Sequence, residues 1–93
     1  MPQMTFKIER FTAVDNVIVL RVSGRMHMEC VKTIEELIGK ESSRVAFDLS
    51  EVTIASRDAA IFLAVSERKG IELRNCPAFL REWVAKEQLC ISP

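Results

Sequence analysis

The sequence predicts an α/β fold, a small mixed β-sheet flanked by helices in the order β-β-α-β-α-β-α. Three observations carry that reading. Val17-Ile18-Val19-Leu20-Arg21-Val22 is nearly continuous and β-branched, as in a strand covered on both faces. Val45-Ala46-Phe47-Asp48-Leu49 is a second short apolar run, and it empties through a polar turn onto the start of a helix. Between and after these runs the apolar residues recur at helical spacing instead of alternating.

The first strand is Thr5 to Phe11, where apolar and polar residues alternate as they do on a strand with one wet face at a sheet edge. Asp15-Asn16 is a turn signal, so the first two strands form a hairpin that ends at Gly24, followed by Arg25 to Met28 as a connector. Cys30, Val31, Ile34, Leu37 and Ile38 share one helical face, with Glu29, Lys32, Glu35 and Glu36 opposite. Gly39-Lys40 ends this helix, and Glu41-Ser42-Ser43 is a loop. Strand three is Arg44 to Leu49. The second helix runs from Arg57 to Lys69, with Ser56 as N-cap, Asp58 suited to the positive helix end and Gly70 as a left-handed stop. Ile71 to Arg74 is a fourth strand, and Asn75-Cys76-Pro77 opens a last helix whose i,i+4 pairs, Phe79 with Trp83 and Leu80 with Val84, read as core. Leu89 to Pro93 carries no clear signal.

Ninety-three residues make a single domain, 1–93, able to fold without metal or disulfide. Thirteen basic residues balance thirteen acidic ones and alternate with them, which disfavours a phosphate-backbone partner and leaves self-association little opposed. Cys30, Cys76 and Cys90 are odd in number and lack metal-ligand spacing, as expected of reduced thiols in a cytoplasmic protein. His27 stands alone, so no metal site is expected. Met1 to Met4 opens no signal peptide, and the longest apolar run, Ala59 to Val65, is too short for membrane insertion. No Walker motif, GxGxxG or HExxH is present, and no cofactor is expected.

Phe47-Asp48-Leu49-Ser50, then Val52-Thr53, then a helix opening a few residues later, resembles the STAS domain. That family includes bacterial anti-sigma factor antagonists and the cytoplasmic tails of sulphate transporters. Its pattern is a strand ending in Asp-Leu-Ser-Gly-Val, two or three apolar residues, then Asp-Ser-Ser-Gly at the helix start. Gly24 before the first helix and Asn75-Cys76-Pro77-Ala78 before the last are similar too. The resemblance is strongest over 45–63 and extends roughly over 5–85. It implies a STAS-like fold and a non-catalytic role in protein–protein interaction.

The departures are informative. The family's quartet carries a serine or threonine that a partner kinase phosphorylates, and in register the quartet here is Ser56-Arg57-Asp58-Ala59. Arg57 takes the phosphoacceptor position and cannot be esterified by a serine kinase. Asp58 supplies one negative charge that Arg57 cancels, which makes a permanent phosphomimic a poor description. Arg57→Ser alone is not expected to create a strong phosphorylation site, because the flanking Ser56 and Asp58 differ as well. The final strand and helix of fuller family members are expected to be absent.

On a helical wheel, Ala60, Leu63 and Ala64 cluster inward, and Asp58, Phe62, Val65 and Lys69 fall opposite. An outward Phe62 with Val65 predicts an exposed apolar contact patch, which could also serve a homodimer. The expected partner-binding rim is Arg25, Met26, His27, Thr53, Ser56, Arg57, Asp58 and Phe62, with Ser56 and Asp58 as regulatory or capping residues. The resemblance implies a regulator that binds an anti-sigma factor or switch kinase. The alternative is an accessory subunit on the ATPase of an ABC transporter. An enzyme built on His27 or on Cys76, placed near a helix N-terminus, is the weakest reading.

Overall fold

The structure, a computed structural model, describes residues 6–41 and 43–91. Thr5, Ser42 and the Cys90 thiol lie outside the described residues and side chains. The elements follow the expected order: β1 (Phe6–Thr12), β2 (Ile18–Met26), α1 (Met28–Gly39), β3 (Val45–Ala55), α2 (Arg57–Arg68), β4 (Glu72–Arg74) and α3 (Ala78–Ile91). They build a mixed α/β domain on a four-stranded sheet of order β1-β2-β3-β4. The hairpin β1–β2 is antiparallel, whereas β2–β3 and β3–β4 are parallel, each joined by a helical crossover.

The pattern of burial shows why this order closes. Phe6 and Ile8 of β1, Ile18, Leu20 and Val22 of β2, and Phe47 and Leu49 of β3 share one face of the sheet. Cys30, Val31 and Ile34 of α1, Ala59, Leu63 and Ala64 of α2, and Leu80 and Val84 of α3 meet them in one cluster. All three helices therefore cover the same face. Leu20, Phe47, Leu49 and Leu63 are fully buried, each contributing about 1.5–3 kcal/mol over an exposed side chain. The central strands are thereby held fast, and whatever lies at their ends is rigidly placed.

The opposite face carries charge in register. Glu9, Arg21, Asp48 and Arg74 are successive partners across all four strands. Arg21 Nε lies 3.5 Å from Asp48 Oδ2, and its guanidinium sits 5.1 Å from the centre of the Phe11 ring.

The boundaries of the two central strands differ from the sequence expectation for one reason. The central strands run past their polar residues because each has a neighbour to pair with. β2 continues through Gly24 to Met26, and β3 through Ser50 to Ala55. Two one-residue slips make this possible, between Arg21 and Ser23 and between Gly24 and Arg25 opposite β3. Gly24 adopts φ +87° beside the second slip, a conformation that favours glycine. The connector expected over Arg25 to Met28 shrinks to His27, and the long polar turn after Leu49 shrinks to Ser56. At the other end of α2, Gly70 (φ +97°) closes the helix, with its N–H donating to Glu67 O and that of Ile71 to Ser66 O. The last helix continues through Leu89 to Ile91, where no signal was read.

Candidate functional site

Because β2 and β3 are parallel, their carboxyl ends meet at one edge of the sheet, beside the first turn of α2. The Ser56 amide donates to Met26 O at 2.9 Å and pins the two strand ends together. Ser56 Oγ accepts from the Ala59 amide at 3.2 Å, so this side chain caps α2. His27 O accepts from the Val31 amide at 3.0 Å at the start of α1, and the His27 ring meets Phe6 edge-on, with centroids 6.2 Å apart. Arg25, Met26, His27, Ile54, Ala55 and Ser56 thus enclose a shallow cleft of about 300 Å3.

Of the expected rim residues, the fold brings Arg25, His27 and Ser56 to this cleft. Thr53, Arg57 and Asp58 are exposed on its flanks. Arg57 Nε lies 3.4 Å from Glu87 Oε2, a buried carboxylate of α3, although the arginine side chain remains 70% exposed.

Three expectations need correction. Met26 is fully buried in the core, so it contributes backbone and not a contact side chain to the rim. Phe62 does not project outward. It stacks on the buried Phe47, with centroids 5.8 Å apart and planes 24° from parallel, and Val65 beside it is half-buried. The Phe62 side of the patch expected from the wheel is instead packed on the core, because Phe62 turns down onto Phe47 of the sheet. The Cys76 thiol is not activated by a helix end. Burial pushes its pKa up and Glu67 pushes the same way, outweighing the opposing pull of Arg81.

Ile54 was missed. It is 55% exposed and is the register partner of Arg25. Plain alternation would set it on the face of Val52, which is buried; the slip at Thr53 turns it out. A large apolar residue just after Thr53 at a strand end was the signal available, and the bulge hid its direction.

Asp48 lies earlier on β3, in register with Arg21 and Arg74. Burial works to raise its carboxyl, but hydrogen bonds from Ser50 and the Asn75 side chain, with the charge of Arg21, outweigh it and hold the pKa below the usual range. The Ser50 amide donates to Asp48 Oδ1 at 3.0 Å, next to the first slip in the ladder. Among the described residues no cluster of three or more His, Cys, Asp or Glu side chains could hold a metal ion, and no helix is long and apolar enough to cross a membrane. The rim can offer cations, a hydroxyl and one exposed branched aliphatic side chain.

A solved structure described as an antisigma-factor antagonist, a STAS domain from Rhodobacter sphaeroides, is similar to this chain. The TM-score is 0.47 at 20% identity, covering 75% of this chain and 84% of that one. No family model matches the chain, and no curated protein matches it significantly.

Proposed function

We propose that this chain is a non-catalytic docking domain, an anti-sigma factor antagonist-like regulator acting in the cytoplasm. Its partner is an anti-sigma factor or switch kinase, met through Arg25, His27, Thr53, Ile54, Arg57 and Asp58. The observation that carries the reading is Ile54, 55% exposed beside Arg25 at the end of two rigid, paired strands. An exposed aliphatic anchor ringed by polar groups is what a contact centre needs. Arg25 and Arg57 suit acidic side chains on the partner, which steer association and fix its register. With arginine in the phosphoacceptor position, docking would not be released by phosphorylation there.

Capture from native lysate tests this with the wild-type chain, Ile54→Asp and Arg25→Glu. The expected result is a histidine-kinase-like ATPase bound by the wild type and weakened at least about tenfold by either substitution. Capture of a transporter ATPase would instead move the chain to the accessory-subunit class. Binding that survives both substitutions would overturn the surface.

A further inference from the structure

We infer that α3 is the contact face of a homodimer, two chains pairing antiparallel about a two-fold axis that crosses this helix at the level of Val84. The inward side of α3 is spent on the core, where Leu80 and Val84 are fully buried and Glu87 nearly so. The outward side is not polar in the way a solvated helix is. Phe79 is 45% exposed and Leu89 80%, with a half-buried Trp83 between them and the charges Glu82 and Lys86 alongside. Of Phe79 and Trp83, both expected from their spacing to be core, Phe79 is exposed and Trp83 is only half-buried. Phe79, Glu82, Trp83 and Lys86 line a shallow notch of about 300 Å3, and Leu89 stands clear of the surface toward the other end of the helix.

That arrangement is self-complementary in one register. Antiparallel pairing about the level of Val84 sets Leu89 against the second copy's Phe79, at the mouth of its notch. The same register sets Glu82 against the second copy's Lys86, and symmetry makes every contact twice. Slipping the pair by one turn brings Lys86 onto its own copy in one direction and Glu82 onto its own copy in the other. Charge therefore selects the register, and Trp83 lies near the axis, where a buried aromatic contributes most. The zero formal net charge leaves little long-range repulsion to overcome. Fourteen helical residues span about 21 Å, so the contact is a small one and the dimer is weak and concentration-dependent.

Sedimentation equilibrium on the full chain, from micromolar to millimolar concentration, tests the inference. The mass should rise toward that of two chains. Glu82→Lys and Lys86→Glu should each raise the dimer dissociation constant about tenfold, and the double variant should restore it to within a few-fold of wild type. Phe79→Ser should weaken the dimer without lowering the melting temperature by more than a few degrees, because the side chain is exposed in the monomer. A chain that stays monomeric throughout overturns the inference. So does a dimer indifferent to the single reversals, which must use another surface, and so does a double variant no better than either single one.

Discussion

The carboxylate of Asp48 accepts the backbone amide of Ser50, 3.0 Å away, beside the slip where β3 gains one residue on β2. The tripeptide Asp48-Leu49-Ser50 therefore does structural work. Leu49 fills the core, Asp48 holds the bulge and reaches Asn75 in the turn before α3, and only Ser50 is exposed. The residues that carry the family resemblance in the sequence explain the course of the chain, and the rim they position lies beyond them.

Asp48→Asn should destabilise the domain by about 1–3 kcal/mol near neutral pH, because a charged acceptor of several hydrogen bonds is lost where water cannot replace it. The pKa of Asp48 is lowered in the folded state. Its stabilisation is thus complete above the unfolded carboxyl range and is lost as pH falls through the folded value. Urea melts of the wild type and the variant should differ most at pH 6–7 and converge below about pH 4. A constant difference across that range would show that the charge of Asp48 is irrelevant and only its shape matters.

Phe62→Ala should cost about 2–4 kcal/mol by emptying the place over Phe47, whereas Phe62→Leu should cost under about 1.5 kcal/mol. Denaturant midpoints at equal m-value measure both. A cost below about 0.5 kcal/mol for the alanine variant would return Phe62 to the surface.

Ser56→Ala should cost about 1 kcal/mol through loss of the hydrogen bond from the Ala59 amide, and Ser56→Asp should retain most of it, since a carboxylate also caps and suits the helix N-terminus. Thermal melts distinguish the two. Equal losses would mean that the hydroxyl serves something other than the cap.

The element order, the hairpin and the ends of α2 were legible because they rest on local chemistry: β-branched runs, Asp15-Asn16, Ser56 and Gly70. The lengths of β2 and β3 were not, because pairing between strands carried both through polar residues that read locally as loop. The same bulges decide the candidate site. They bury Val52, expose Ile54 and leave Met26 in the core, and no spacing rule on one strand reveals a slip against another. Phe62 and Phe79 exchanged roles for a related reason. A helical wheel gives two faces, but only the tertiary neighbours, such as Phe47 stacked on Phe62, say which is covered.

The thiols offer a last check on whether the chain holds a hidden nucleophile. Cys30 is fully buried and its pKa is pushed up to about 11 by burial, so about one thiol in a thousand would be ionised at pH 8 even with access. Cys76 is half-buried, and burial raises it as well. Alkylation of the native chain at pH 8, read by peptide mass, should leave Cys30 unmodified and label Cys76 at least several-fold more slowly than a free thiol. In urea both should react at the free-thiol rate. A native Cys76 that reacted faster than free thiol would mean a stabilised thiolate beside Arg81, and the docking reading would then have to share this chain with a catalytic one.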